Sequence, residues 1–262
     1  MVNFDFIEAA SNGYQFVWDK RAQIARIALI PFVIKLVCFF GVTALSDDAN
    51  YLRHGLLLTP SYFAEGWLVA HLIRIAMFKD PWPGSAESAQ VSNKSIVHAA
   101  VIIYVLIKLA MAFIAGYVLT TQAGTAGAAE SGQASLYMFL FIIILFVGML
   151  WAFRLVWLYV PAALGYGLKA FLIRTSKFSF SMYLIGTWLL CFVPLALALI
   201  LASKFLSTAF PGTGDDVSMM FTYSLTAVQA FLEIVVACVS SVAIAHGIKS
   251  IYDGTNRTDT IL

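Results

Sequence analysis

Charged residues are scarce in this chain. Asp, Glu, Lys and Arg make up only 11% of its 262 residues, whereas hydrophobic residues make up 61%. A soluble domain carries about 25% charged residues. The composition therefore argues against a soluble globular protein and predicts an all-α, polytopic integral membrane protein that forms one membrane domain over residues 1–262.

Residues that build disulfides, metal sites and catalytic centres are also few. The three cysteines, Cys38, Cys191 and Cys238, lie inside apolar runs with no paired spacing, and the four histidines show no metal-ligand spacing. Structural and catalytic metal sites need several His, Cys or carboxylate ligands close together. We therefore expect no metal, no cofactor and no catalytic residue, and an intramembrane enzyme acting on lipid ranks last among the functions considered.

Apolar runs long enough to cross a bilayer recur six times. A membrane helix needs about 20 residues, and the runs cover residues 24–45, 56–78, 96–119, 136–160, 182–203 and 219–245. The run at 56–78 is the least certain because it holds Pro60, Glu65, His71 and Arg74. This run could instead be re-entrant or lie in the membrane interface, but the first prediction is that all six runs cross the membrane.

The distribution of basic residues favours six spans. Six crossings place nearly all loop Lys and Arg residues on one side and leave only Arg53 and Lys204 on the other. Lys and Arg collect on the cytoplasmic side of membrane proteins. Both termini are therefore expected in the cytoplasm.

The first twenty residues predict an amphipathic helix. Phe4, Ile7, Ser11, Tyr14 and Trp18 recur at three- and four-residue spacing over residues 3–20. This period is typical of a helix that lies in the membrane interface. An anchor on the headgroups is favoured over a docking helix for a cytoplasmic partner.

Basic residues lie near the end of the fourth run and in the connection that follows it. Arg154, Lys169, Arg174 and Lys177 are interleaved with apolar residues there. Each cation near the inner membrane surface favours anionic lipid by about 1 kcal/mol. These four residues are candidate lipid-headgroup contacts, and an ordinary positive-inside anchor is the simpler interpretation.

Two Arg-to-Pro patterns carry a family resemblance. Arg26 precedes Pro31 in the first run, and Arg154 precedes Pro161, which is followed by Ala-Ala and the basic stretch. With the aromatic-rich entry, these features resemble uncharacterised bacterial membrane proteins grouped near the membrane domain of glycerophosphodiester phosphodiesterases. The resemblance covers mostly residues 4–35 and 151–194. It implies a stand-alone membrane module in a bacterial inner membrane and supplies no catalytic residue.

Four charged residues lie near the middle of apolar runs: Lys35, Glu65, Lys108 and Glu233. A charge at the centre of a membrane helix costs about 2.5–3.5 kcal/mol, so such residues face the bundle interior, water or a partner. We expect two Lys–Glu pairs, although the sequence does not show which lysine pairs with which glutamate. The pairs act either as interhelical contacts that fix packing or as a relay at a midplane transport site.

Short loops and 21 Phe residues suit a non-catalytic membrane module that serves as a scaffold, an assembly factor or a subunit of a larger membrane complex. The alternative is a small transporter or permease subunit that uses the Lys/Glu set. The expected partners are the bilayer, anionic lipids, and other membrane subunits or further copies of the chain, and no nucleic acid.

Overall fold

The computed structural model describes residues 5–45, 51–83, 94–125, 143, 146–211 and 218–258, and every regular element within them is helical. The elements are α1 (Phe6–Asp19), α2 (Arg21–Ala44), α3 (Tyr51–Leu57), α4 (Thr59–Phe78), α5 (Lys94–Thr125), α6 (Phe146–Ala163), α7 (Leu168–Arg174), α8 (Phe178–Ala209) and α9 (Met219–Thr258). α6 includes a 3₁₀ segment, Phe153–Trp157. The predicted all-α class is confirmed over these residues.

Among the residues that the structure describes, five helices are long and apolar enough to cross a membrane. They are α2, the first 23 residues of α5, α6, α8 and the Met219–Tyr252 part of α9. Each overlaps one of the predicted runs at 24–45, 96–119, 136–160, 182–203 and 219–245. Positions 136–142, 144 and 145 of the fourth run lie outside the described residues.

The predicted second run, 56–78, differs from the other five. It contains the end of α3 and a separate helix, α4, which has Pro60 in its first turn and is not among the membrane-length apolar helices. More than half of the residues of α4 are buried, because α4 packs against α2, α5, α6 and α9. A helix enclosed by protein does not need a uniformly apolar surface. This central position gives a physical reason for its polar residues, and the count of six crossings stays a prediction.

The end of α4 is tied to α9. Lys79 adopts a left-handed conformation with φ 57°, and its N–H donates to the Ile75 carbonyl. The Lys249 ammonium of α9 donates to the Met77 carbonyl at 2.9 Å, and a cation at a helix C-terminus is favourable. Arg74 is buried and donates to Asp80 at 2.6 Å. The Lys249–Met77 hydrogen bond therefore links the end of α4 to α9.

The N-terminal helix packs through its small residues. Ala9, Ala10 and Gly13 of α1 are buried against α8 and α9, whereas Ile7 and Trp18 are exposed. The close approach depends on Gly13, since a Cβ there would lie 2.7 Å from the Val239 carbonyl oxygen. The helix expected at 3–20 is thus present from Phe6 to Asp19, and its interfacial location stays a prediction.

Candidate functional site

Lys35 is the centre of a buried network of charges. It lies in the middle of α2, and only 2% of its side chain is exposed. Its ammonium is 2.7 Å from Glu65 Oε2 of α4 and 2.8 Å from Glu233 Oε2 of α9. One lysine therefore joins two carboxylates on two other helices.

Glu65 uses both of its carboxylate oxygens. Oε2 accepts from Lys35, and Oε1 accepts from the Tyr104 hydroxyl at 2.5 Å and lies 3.6 Å from the Lys108 ammonium. Gly66 makes this possible, because a Cβ at that position would be 2.9 Å from a Tyr104 ring carbon. The absence of a side chain at 66 lets α4 and α5 approach closely beside the carboxylate.

The outer members of the network are more accessible. The side chains of Lys108 and Glu233 are 38% and 42% exposed, whereas Lys35 and Glu65 are each 2% exposed. Glu233 also accepts from the Gln229 amide at 3.0 Å. The order Lys108–Glu65–Lys35–Glu233 therefore has a buried centre and two accessible ends, and it links α5, α4, α2 and α9.

This arrangement differs from the expected two separate pairs. Both glutamates contact Lys35, at 2.7 and 2.8 Å, whereas Lys108 lies farther from Glu65, at 3.6 Å. The four charges still sum to zero. This balance is expected, because an uncompensated charge has a high energy in a low-dielectric interior.

Two cavities adjoin the accessible ends of the network. One has a volume of about 660 Å³ and the other about 430 Å³. Both are lined by Lys108, Met111, Gln229 and Glu233. The larger one is mostly apolar, with aromatic walls from α6 and α8, and Lys35 lines the smaller one. The outer charges thus face two spaces that could admit water or a ligand.

Tyr104, which donates to Glu65, was not among the site residues predicted from the sequence. Its ring packs edge-to-face on Tyr159 at 4.9 Å, and the Tyr159 hydroxyl hydrogen-bonds Ser241 at 2.8 Å. The sequence did contain an indication that Tyr104 lies beside the network. Tyr104 precedes Lys108 by four residues, so the two side chains share one face of a helix. Gln229 precedes Glu233 by the same spacing.

Arg154 is placed differently from the sequence-based expectation. It was a candidate headgroup contact, but it is only 5% exposed. Its guanidinium donates to the carbonyl of Thr175, the residue that ends α7, and lies 3.9 Å from the centre of the Trp151 ring. Arg154 therefore joins α6 to the end of α7 inside the protein, and its contact with a lipid headgroup stays a prediction.

The other three basic residues are exposed. Lys169 and Arg174 lie on α7, and Lys177 immediately precedes α8. The Arg174 guanidinium lies 4.6 Å from the centre of the Tyr252 ring, a cation–π distance. Their contact with lipid stays a prediction.

Metal-ligating side chains are dispersed in the part of the chain that the structure describes. No group of three or more His, Cys, Asp and Glu residues there is arranged to hold a metal ion. Cys38, Cys191 and Cys238 are free thiols.

Comparisons with protein-family models, curated proteins and solved structures found no match to this chain. Over the described residues the fold is all-α, with five helices that are long and apolar enough to cross a membrane. The family resemblance drawn from residues 4–35 and 151–194 stays a prediction.

Proposed function

We propose that this protein is a non-catalytic, multi-pass module of a bacterial inner membrane, with six crossing helices and cytoplasmic termini. Within that class, we propose a small transporter or the membrane subunit of a permease. Its substrate would bind at the accessible ends of the charge network, Lys108 and Glu233.

One observation carries this proposal. Lys108 and Glu233 come from different helices, are both about two-fifths exposed, and line the same two cavities. Charged side chains at membrane depth mark substrate or ion pathways when they face a cavity, because exposure to lipid is costly. Transporters commonly place such sites near the bilayer midplane.

A scaffold, an assembly factor or a subunit of a larger complex is the second candidate. The Lys35–Glu65 contact at 2.7 Å supports it, because both side chains are only 2% exposed and join α2 to α4. Such a pair specifies packing without needing a ligand. If the protein is a scaffold, the cavities beside Lys108 and Glu233 would be filled by side chains of this protein or of a partner subunit.

The two candidates differ in whether water reaches the network. Three consecutive positions of α9 provide the test: Gln229 lines both cavities, Ala230 is buried, and Phe231 is exposed but lines neither cavity. Single cysteines would be introduced by Gln229→Cys, Ala230→Cys and Phe231→Cys after replacing the three native cysteines. A charged, membrane-impermeant methanethiosulfonate reagent would then be applied to right-side-out and inside-out vesicles.

The transporter proposal expects rapid labelling of Gln229→Cys alone. A thiol in a wet cavity ionises, whereas one in protein or lipid does not, so the rate should exceed both controls by about tenfold or more. Equal, slow labelling at all three positions would contradict the transporter and favour the scaffold.

On the cytoplasmic side, we propose that Lys169, Arg174 and Lys177 contact anionic lipid. All three are exposed on or beside one short helix. Near a membrane surface each would add about 1 kcal/mol of attraction to anionic headgroups.

A further inference from the structure

The larger cavity has the shape and the lining of a site for a hydrocarbon chain. Its wall on α8 extends from Trp188 to Ile200, which is about 18 Å at 1.5 Å per residue. Trp188 and Phe192 stack at 4.8 Å on one part of this wall, and Leu195 and Leu199 continue it. The volume of about 660 Å³ falls within the range of roughly 300–1,000 Å³ that is usual for small-molecule sites.

The charged groups that line this cavity differ in how many hydrogen-bond and ion-pair partners they have. Both oxygens of Glu65 have partners, and Glu233 is held by Lys35 and Gln229. Lys108 has a carboxylate only at 3.6 Å and the Tyr104 ring at 5.4 Å, and it donates no hydrogen bond to another described residue. An ammonium group has three donors. Lys108 is therefore the group best able to take a further acceptor.

We propose that the cavity binds a long-chain anionic amphiphile, with its chain along the aromatic and aliphatic wall and its carboxylate or phosphate on Lys108. This inference rests on the proposed transport function and names its substrate class. A cationic head is disfavoured, since the Glu233 carboxylate already accepts from an ammonium and an amide. Charge-assisted hydrogen bonds of the kind offered by Lys108 are roughly twice as strong as neutral ones.

The test uses a fatty acid with a photoreactive diazirine in its chain, bound to the full-length protein in lipid nanodiscs. Crosslinked peptides would be mapped by mass spectrometry. Unlabelled competitors would share one chain and differ in the head: carboxylate, phosphate, alcohol or quaternary ammonium. Lys108→Met removes the cation, Lys108→Arg keeps it, and Lys177→Met is a matched control at an exposed lysine outside the cavity.

We expect crosslinks on α6, α8 and α9 facing the cavity. The carboxylate or phosphate competitor should be about tenfold more effective than the alcohol, because a charged hydrogen bond is at stake. A stronger carboxylate would indicate a free fatty acid, and a stronger phosphate would indicate a phospholipid head. Lys108→Met should abolish the preference, whereas Lys108→Arg and Lys177→Met should retain it.

Crosslinks spread over exposed residues outside the cavity, such as Phe231, would overturn the inference. A head preference that Lys108→Met leaves unchanged would also overturn it. The Gln229→Cys labelling separates the two proposals. Labelling without amphiphile binding would reject the substrate class alone, and amphiphile binding without labelling would reject the wet transport site.

Discussion

Removing Lys35 should destabilise the protein more than any other change in the network. Lys35→Met keeps the length of the side chain but leaves Glu233 with only the Gln229 amide and Glu65 with Tyr104 and the more distant Lys108. The substitution therefore converts a balanced set of charges into one with an excess carboxylate.

The expected magnitude separates a charge effect from loss of a hydrogen bond. Breaking a buried ion pair by removing one partner costs about 3–5 kcal/mol, whereas interhelical hydrogen bonds in membrane proteins average about 0.6 kcal/mol. Because Lys35 is 2% exposed and holds two carboxylates, we expect the larger value. On the scale of soluble proteins of similar size, this lowers Tm by about 6–20 °C.

Second substitutions make the prediction specific to this geometry. Lys35→Met with Glu233→Gln leaves Glu65 between Tyr104 and Lys108, a neutral pair. Lys35→Met with Glu65→Gln instead leaves Glu233 with no cation within 4 Å among the described residues. Each double variant removes one of the two carboxylates that Lys35 holds, so each should recover part of the loss, about 0.5–3 kcal/mol, a usual range for coupled neighbours. The second should recover more, because Glu65 is 2% exposed whereas Glu233 is 42% exposed.

Thermal unfolding in nanodiscs, followed by circular dichroism, measures both effects. Glu233→Gln and Glu65→Gln alone complete the two thermodynamic cycles. A Lys35→Met variant as stable as the parent protein, or recovery by only one of the two Gln substitutions, would refute the shared-lysine arrangement.

Two further predictions concern contacts outside the network. Gly13→Ala should destabilise the protein by about 1–3 kcal/mol, because the added Cβ would lie 2.7 Å from the Val239 carbonyl oxygen. The control Gly41→Ala, whose Cβ would have nothing within 4 Å, should be neutral or stabilising. Equal changes in Tm for the two variants would contradict the tight packing of α1. Arg154→Gln should cost about 1–3 kcal/mol, because it leaves the Thr175 carbonyl without its charged donor. Lys177→Gln at an exposed site should stay within about 0.5 kcal/mol. A larger loss of Tm for Lys177→Gln than for Arg154→Gln would count against the internal role of Arg154.

The helices were predictable because length and hydropathy act locally. Five of the six apolar runs overlap helices long enough to cross a membrane. The remaining run, at 56–78, is the one that contains Glu65, His71 and Arg74. These residues lie on α4, a helix that is enclosed by other helices. The same polar residues that made the crossing uncertain thus indicated an unusual environment.

The pairing within the network was not predictable, because it depends on the rotation and tilt of four helices. Insertion energetics suggested neutral pairs, but nothing in the sequence indicated that Lys35 would hold both carboxylates. Gly66 decides how closely α5 approaches Glu65, and its effect is visible only once α4 and α5 are packed.

Two other differences have the same long-range origin. Arg154 was assigned to headgroups because it begins a basic stretch, yet its partner is the Thr175 carbonyl 21 residues later. In α1 the apolar stripe was the evident feature, but Ala9, Ala10 and Gly13 form the packed face. Small residues give little hydrophobic signal and matter through the close approach that they allow.

An experimental structure in lipid nanodiscs, at a resolution that shows bound water, tests the central claim most directly. The account predicts Lys35 in direct contact with both Glu65 and Glu233, no water at the Lys35–Glu65 contact, and water or an amphiphile against Lys108 and Glu233. It would be contradicted by a Lys35 that contacts only one carboxylate, or by Lys108 and Glu233 sealed within dry protein contacts.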